Sequence, residues 1–442
     1  MTSFKRRTLP AVVAGTLAMG AAVASADQSQ QALQAELQTL QAKVAAMEAA
    51  QKPRTAEVTA TIDAVLKDAD RHTQKLAQMA TSTGHDEAGF TISADNFRLN
   101  ASAGMQFRYV ANHGTDRKNG DGNDTPNGFE ITRARLMLSG HAFDPKMTFA
   151  FQWDAGDLTG GTALLDAIVK YEFADQWAVK MGQFVDPVYH ENLVSGFNQL
   201  AAERSLLTQL IGAPSGVGSR VQGVSLLYGA QADQLHAEVA FTDGFNSANT
   251  NFTDGGQNFG IAARAEYKMS GAWADYADMS ARSTGKGDDL LVIGAGGDIT
   301  QGNNLTAYRF TADVQYEMQK QLAVYAAFLG QYADPRNAAG DDSSFNWGFV
   351  AQAGYAIDRF EPFARADYTH FENDQANGEN NVWELTVGVN YYPFPTMGNK
   401  AKFTLDLTWL PNGSPVAAPY QNILGGSDES ELILRGQVQL VL

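Results

Sequence analysis

Apolar and polar residues alternate along most of the chain from residue 97 onward. From Phe97 to Tyr109 every odd position is apolar, whereas the even positions are polar, basic or glycine. A period of two is typical of a β-strand with one apolar face. The alternation predicts sixteen strands, at about 97–109, 129–143, 147–154, 166–173, 177–184, 221–229, 235–242, 259–268, 290–297, 306–317, 321–332, 345–357, 360–370, 382–393, 400–410 and 431–442.

The connections between these segments alternate between short and long. Short connections at 144–146, 174–176 and 230–234 are followed by long ones at 155–165, 185–220 and 243–258. Short turns at one end and long polar loops at the other are typical of an outer-membrane β-barrel. Aromatic residues at strand ends, such as Trp177 and Trp409, are expected to form its interfacial girdles. The connection 269–289 is long where a short turn is expected.

A helical segment precedes the strands. Its apolar residues are spaced alternately by four and three, which is the core pattern of a coiled coil. The predicted core residues are Leu33, Leu37, Leu40, Val44, Met47, Val58, Ile62, Val65, Leu76 and Met79. The stripe is too narrow to be buried by one helix, so each helix needs a partner. That partner is either the same segment of another subunit or, in a hairpin around Pro53, the second helix.

The first 26 residues have the features of a secretory signal peptide. Lys5, Arg6 and Arg7 precede a short apolar run at 11–23, and Ala24-Ser25-Ala26 matches a cleavage site. The sequence therefore predicts a signal peptide at 1–26, a periplasmic helical coiled-coil stalk at 27–89 and an outer-membrane barrel at 90–442. The run is too short to span a bilayer as a helix.

The composition narrows the possible functions. The chain has 32 basic and 49 acidic residues, a net charge of −17, and no cysteine. The acidic balance argues against nucleic-acid binding, and the lack of cysteine excludes disulfides and thiolate metal sites. The sequence contains no recognisable catalytic motif. We therefore expect no enzyme activity, cofactor or metal.

The alternation also predicts which charged residues face the lumen. Charged side chains facing lipid would cost about 2–4 kcal/mol each at the membrane midplane, so they are expected to face water or one another. The predicted pore-lining residues are Arg98, Arg108, Arg133, Arg135, Asp154, Asp166, Lys170, Lys180, Arg264, Lys268, Arg309, Asp313, Arg365, Lys402 and Arg435. The first four arginines lie on two adjacent strands. They either form one basic wall or pair with Asp154 and Asp166.

Several short motifs resemble the phosphate-selective porin O and P family. They are Phe129-Glu-Ile-Thr-Arg-Ala-Arg-Leu136, Gly182-Gln-Phe184, Glu203-Arg-Ser205 and Arg435-x-Gln437, in that order. The resemblance implies a trimeric barrel of 16 strands whose third long loop folds into the lumen. That loop corresponds to 185–220, and its expected constriction residues are Asp186, Glu191, Glu203, Arg204 and Arg220. Val185 stands where the family motif usually continues with lysine.

These observations predict a porin for passive diffusion of small polar solutes and ions. Anions such as phosphate are among the candidate solutes. Twelve basic against eleven acidic inward residues favour weak selectivity. The alternative is a structural protein that tethers the outer membrane to the cell wall or a surface layer through the stalk. The expected partners are outer-membrane lipid, two further copies in a homotrimer, permeating solutes and ions and, through the stalk, peptidoglycan.

Overall fold

The computed structural model describes most of the chain from residue 82 onward. Before that point it describes only residues 38, 39, 41, 42 and 67, all helical. The predicted signal peptide and the coiled-coil core residues lie outside the described residues. The described ranges beyond them are 82–86, 89–115, 125–156, 161–212, 216–253, 257–282, 288–302, 304–319, 321–335, 342–373, 379–414, 417–424 and 429–442.

Sixteen antiparallel strands form a closed barrel. Each pairs with its neighbours in sequence, and the last strand pairs with the first from Glu431↔Gly114 to Val441↔Gly104 to close the sheet. A closed sheet has no edge strand, so no backbone N–H or C=O groups are left unpaired in lipid, which cannot hydrogen-bond them. The strands are β3 (Phe97–Gly114), β4 (Asn127–Ala142), β5 (Asp144–Asp154), β6 (Ala163–Ala174), β7 (Trp177–Val185), β8 (Arg220–Tyr228), β9 (Leu235–Thr242), β10 (Gln257–Ser270), β11 (Leu290–Gly302), β12 (Leu305–Met318), β13 (Leu322–Pro335), β14 (Ser344–Tyr355), β15 (Phe360–His370), β16 (Asn381–Tyr391), β17 (Ala401–Leu410) and β18 (Glu431–Val441).

The structure confirms the predicted barrel, because each of the sixteen predicted segments overlaps one of these strands. In β18 the alternation is nearly complete. Glu431, Ile433 and Arg435 are fully buried on the inner face, whereas Leu432 and Leu434 are exposed on the outer face. The charged side chains of β18 thus face the lumen and its outer face is apolar, as the cost of a charge in lipid requires.

A hairpin of two short strands precedes the barrel. β1 (Ser82–Asp86) pairs with β2 (Gly89–Ala94), and β2 pairs with β3 from Phe90↔Ala101 to Ala94↔Phe97. Within this hairpin, β2 pairs with the part of β3 that extends beyond the end of β18. Residues 82–86 are therefore a strand, not the end of the predicted helical stalk. This segment is too short for its period to be read from the sequence alone.

The connections show which end of the barrel faces the periplasm. Barrels of this class have short periplasmic turns and longer external loops. The end with the 143, 175–176 and 319–321 turns is therefore the periplasmic end. Three connections depart from the rule: 271–289 and 392–400 are long at the periplasmic end, and 303–304 is short at the external end. In the parts of the connections that the structure describes, the helical elements are short, among them α1 (His190–Leu193), α2 (Trp273–Tyr276) and the π-helical turn Thr208–Gly212.

Aromatic side chains ring the outer face near the periplasmic end. Trp177 packs on Tyr228 with ring centroids 5.0 Å apart, and Phe360 packs on Tyr391 at 5.1 Å. Rings with a polar tip are favoured at the membrane–water interface. Within the described residues, no helix is long and apolar enough to cross a bilayer.

Candidate pore and constriction site

The connection 186–219, here called the constriction loop, lies inside the barrel. Inward side chains of the wall donate to its backbone carbonyls. Lys402 Nζ reaches the carbonyl oxygen of Gln199 at 2.7 Å, and an Arg365 Nη reaches that of Glu203 at 2.6 Å. A loop without a regular backbone ladder needs such partners when it is buried. The wall therefore holds the loop as part of the protein interior.

Wall carboxylates hold the backbone N–H groups of the same loop. Asp406 accepts from the Ala202 amide at 3.0 Å, and Glu384 accepts from the Leu206 amide at 2.7 Å. Asp406 also pairs with Arg435 at 2.6 Å. The carboxylates of β16 and β17 are thus used for docking the loop rather than for facing water, and Arg435 of β18 balances the charge of Asp406.

Glu203 is the main ionic anchor of the constriction loop. Its carboxylate accepts hydrogen bonds from Arg108 and Arg133, each with a closest distance of 2.7 Å, and all three side chains are at most 1% exposed. Despite its burial, the two guanidinium groups lower the pKa of Glu203 to about 2. The carboxylate is therefore ionised at all physiological pH values. Glu203 fixes the loop to β3 and β4 together.

Glu191 and Arg204 stabilise the loop internally. Glu191 accepts from the Ser205 amide at 2.8 Å and the Ser205 hydroxyl at 2.6 Å. Arg204 donates to the backbone carbonyls of Glu191 and Val194 at 2.8 and 2.6 Å. Burial and the neighbouring positive charge of Arg133 lower the pKa of Arg204 to about 9. These two predicted constriction residues therefore shape the loop and are themselves buried.

Asp186 joins the start of the loop to the opposite wall. An Arg309 Nη lies 2.5 Å from Asp186 and 2.7 Å from Asp298. Burial raises the pKa of Asp186 to about 6, against the lowering effect of Arg309. Asp298 is a site residue that the sequence analysis missed, because β11 was predicted to end one residue earlier. The even positions of β11 face inward, so extending the alternation by one residue would have found it.

The four arginines expected to form a basic wall or to pair with Asp154 and Asp166 are divided among different partners. Arg108 and Arg133 share Glu203, and Arg135 pairs with Asp154 at 2.8 Å, as the alternative had it. Asp166, the other proposed partner, instead pairs with Arg220 at 3.2 Å. Of the four, only Arg98 keeps partial exposure. The predicted pairing failed to include Glu203 because a sequence does not show which wall a loop carboxylate will reach.

The remaining predicted pore residues fall into two groups. The first group is buried on the side of the lumen that the constriction loop fills. It comprises the ion pairs Arg264–Asp313 and Arg365–Glu384, and Lys402. A second group on β6, β7 and β10 keeps partial exposure, namely Lys170, Lys180 and Lys268. The inward direction predicted for these side chains agrees with the structure, whereas contact with water is limited to the second group.

Glycines on the wall make room for the constriction loop. A Cβ atom at Gly104 would lie 2.5 Å from the ring of Phe197, and one at Gly354 would lie 2.7 Å from a Leu200 methyl group. Both distances are shorter than van der Waals contact allows. The sequence shows these glycines, but only the folded loop explains why a side chain is excluded there.

The long periplasmic connection also enters the barrel. Its residues 271–282, here called the inner segment, contact the constriction loop: the Met279 amide donates to the Asn198 carbonyl at 2.9 Å, and the Asn198 side chain donates to the Ala277 carbonyl at 3.0 Å. Asp278 accepts from Asn399 at 2.7 Å. Burial raises the pKa of Asp278 to about 6. The unexpected length of this connection was the sequence signal for a second inward-folded element.

Among the described residues, no group of three or more histidine, aspartate or glutamate side chains is arranged to hold a metal ion. The buried carboxylates named above are each engaged by arginine, amide or hydroxyl donors. The chemistry of the site is therefore that of a charged, loop-narrowed lumen.

Comparison with known families agrees with this geometry. The family model of phosphate-selective porin O and P matches residues 99–410, which is more than half of the chain. The chain belongs to this porin family. Its barrel is accordingly that of an outer-membrane channel for solute diffusion. A search of curated protein sequences finds no match.

Solved structures with the same fold include several porins. An anion-selective porin from Comamonas acidovorans is 10% identical and covers 78% of this chain and 100% of its own, with a TM-score of 0.53. Salmonella typhi OmpF in complex with daunomycin is 16% identical, with coverages of 79% and 100% and a TM-score of 0.51. A loop L8 deletion mutant of OmpT, an outer membrane protein of Vibrio cholerae, is 10% identical, with coverages of 79% and 100% and a TM-score of 0.52. At these identities the likeness shows the shared barrel fold.

Proposed function

We propose that this porin is a weakly selective diffusion channel for small polar solutes and ions. The observation that carries the proposal is the constriction loop, which is docked in the lumen by charged wall residues on β3, β4, β12 and β15–β17. A loop held in this way narrows a barrel of 16 strands to the size of small solutes while leaving its mouths open to water. A purely structural barrel would not need such a constriction.

The pairing of the arginines supports weak rather than strong anion selectivity. Arg108, Arg133 and Arg309 each contact a carboxylate within 2.7 Å and are nearly fully buried. A guanidinium that is already paired and desolvated offers little to a permeating phosphate. The external connection 371–380 carries three acids and no base. Because a Debye length of about 8 Å at 0.15 M salt screens such charges, a cation preference should grow as the salt concentration falls.

We further propose a homotrimer with a periplasmic coiled-coil stalk formed by residues 27–81. The trimer form of in-vitro folded OmpT from Vibrio cholerae has the same fold, with a TM-score of 0.50. An even number of strands places both barrel termini at the periplasmic end, so the stalk projects towards peptidoglycan. Replacing Leu37, Leu40 and Val44 with Asp places charges on the helical seam. A weakened trimer on a native gel supports the intersubunit coil, and an unchanged trimer supports the hairpin.

The decisive experiment is reconstitution of the purified protein in a planar bilayer. The proposal predicts stepwise conductance, in groups of three for a trimer, and a small reversal potential in a KCl gradient that moves towards cations at low salt. A strong anion preference that saturates with micromolar phosphate would contradict weak selectivity. Absence of conductance from a folded, heat-modifiable barrel would refute the channel and leave the tether as the function.

A further inference from the structure

The lumen is filled on one side at the level of the constriction loop. Inward side chains of β12 and of β15–β18 contact the loop directly, and their polar atoms are bonded to it. Asn390 donates to the Leu200 carbonyl at 2.9 Å, and Gln439 donates to the Phe197 carbonyl at 2.8 Å. Thr404, which bonds Asn390, is only 3% exposed. Solutes therefore have little space along this wall.

The inner segment fills the same side at the periplasmic end. The Ala281 amide donates to Glu361 of β15 at 2.7 Å, and Asp278 is bonded to Asn399 before β17. Gln315 of β12 donates to the Asp278 carbonyl oxygen at 2.5 Å. Together with the contacts to Asn198, these bonds place the inner segment below the constriction loop.

Two aromatic residues of α2 pack against β9 and β10, at the side of the inner segment away from β15 and β17. Trp273 stacks on His236 of β9 with ring centroids 3.9 Å apart. The Tyr276 hydroxyl accepts a hydrogen bond from Arg264 of β10 at 2.8 Å. The Tyr276 ring stacks on that of His190, with ring centroids 3.8 Å apart. The filled part of the lumen thus ends at β9 and β10.

A cavity of about 430 Å³ lies beyond this boundary and is here called the vestibule. Inward residues of β6–β10 line it, the β6–β7 and β8–β9 turns surround its periplasmic mouth, and Pro187 and Leu193 of the constriction loop lie at its inner end. Lys170 and Glu172 are 35% and 49% exposed at the mouth. Deeper inside, Glu238 lines the cavity and is 18% exposed, and its ion-pair partner Lys180 is 15% exposed. These wall charges retain contact with water, unlike those of the filled side.

Lys180 and Glu238 meet across a strand. Lys180 is paired in register with Ser225 of β8, and the Lys180 ammonium reaches over this small residue to Glu238 of β9 at 2.6 Å. Lys170 lies directly opposite Lys180 on β6. Lys180 and Glu238 therefore place positive charge on β7 and negative charge on β9 beside the vestibule, whereas Lys170 on β6 is already paired with Glu172 of the same strand at 2.8 Å. Opposed charges of this kind create a field across the path of a solute.

We infer that solutes pass between the barrel and the periplasm through this vestibule, and that Lys180 and Glu238 set the ion preference of the channel. This inference rests on the proposed diffusion function and locates its path. It assigns specificity to the partly hydrated pair on β7 and β9, rather than to the buried arginines that hold the loop. The solutes favoured by such a pair are small and either uncharged or zwitterionic, because each end of the dipole has a complementary charge.

The natural absence of cysteine makes the path directly measurable. Glu238→Cys in the full-length protein places a thiol in the vestibule, and Thr404→Cys places one on the filled side towards the same end of the barrel. Channels in a planar bilayer are treated with a charged methanethiosulfonate reagent. We expect conductance to fall for Glu238→Cys and to stay unchanged for Thr404→Cys. Heat-modifiable migration verifies that each variant is folded.

The other outcomes overturn the inference. Loss of conductance with Thr404→Cys shows a path along the filled side, and no loss with Glu238→Cys shows that the vestibule is not used. Absence of current from the unsubstituted protein instead refutes the proposed function, so the two failures are distinguishable.

Reversal potentials test the role of the charge pair without a reagent. Lys180→Gln should shift the reversal potential towards cations, and Glu238→Gln should shift it towards anions. Lys146→Gln, in the exposed periplasmic end of β5, serves as the control and should cause no shift. Equal potentials for all three variants would show that the pair does not face the permeating ion.

Discussion

Replacing Glu203 with glutamine should weaken the docking of the constriction loop. The carboxylate holds Arg108 and Arg133 together, and its loss leaves two buried guanidinium groups with no full counter-charge within 3 Å; Glu130 lies 3.7 Å from Arg108. Breaking a buried ion pair from one side costs about 3–5 kcal/mol. The lowering of the Glu203 pKa from 4.5 to about 2 gives a similar figure, about 3 kcal/mol at 1.36 kcal/mol per unit.

Two measurements follow from this cost. The Glu203→Gln barrel should lose its heat-resistant migration at a lower temperature than the unsubstituted protein. Its reversal potential in a KCl gradient should shift towards anions, because the two arginines gain an uncompensated charge. For heat resistance, Glu172→Gln is a matched control, since its bond to Lys170 is exposed and such pairs contribute about 0–1 kcal/mol.

The pH dependence of Glu203 provides a further check. A depressed carboxyl pKa stabilises the folded state above the unfolded pKa of about 4.5 and loses this effect only as the pH falls through about 2. Docking through Glu203 should therefore be constant from about pH 5 to 8. Unchanged heat resistance and an unchanged reversal potential in Glu203→Gln would refute the assignment of this residue as the loop anchor.

Three other changes have defined outcomes. Because burial raises the pKa of Asp278 to about 6, its contribution to docking the inner segment is complete below the unfolded pKa of about 3.8 and is lost as the pH rises through about 6. Conductance should therefore increase between about pH 5 and 7, and Asp278→Asn should abolish the increase. Gly104→Ala should displace the Phe197 ring and change single-channel conductance while the barrel still folds; an unchanged conductance would show that the ring is not held there. Charged replacements of Leu37 and Leu40 alone should lower the proportion of trimer in detergent without altering single-channel conductance; an unaltered proportion would argue against an intersubunit coil.

The strands and their inner and outer faces could be predicted from the sequence because a barrel in lipid imposes one simple condition on every residue. Each strand residue faces either lipid or the lumen, and charges are costly in lipid. The alternation from Phe97 to Tyr109 or from Leu432 to Leu442 is therefore enough to predict both the strand and the face on which each residue lies. The inward directions of Arg108, Lys180 and Arg435 follow from the same rule.

The contacts within the lumen depended on the tertiary structure. Glu203 lies in a loop 70 residues after Arg133 and 95 residues after Arg108, and no local pattern links the three. Loop backbones have no period from which a direction can be read, so their partners are set by where the barrel wall meets them. The unusual length of 271–289 indicated an anomaly, but only the fold shows it lying beneath Asn198.

The sequence by itself therefore determined the barrel, its strand number and the orientation of its wall residues, since these follow from local alternation under the constraint of the bilayer. The tertiary structure alone decided which of the inward charges are buried by the two inward-folded segments and which remain hydrated in the vestibule. That division depends on long-range packing. Arg108 and Lys180 obey the same alternation, yet a loop carboxylate covers the first, whereas the second stays partly exposed and pairs with Glu238, which lines the vestibule.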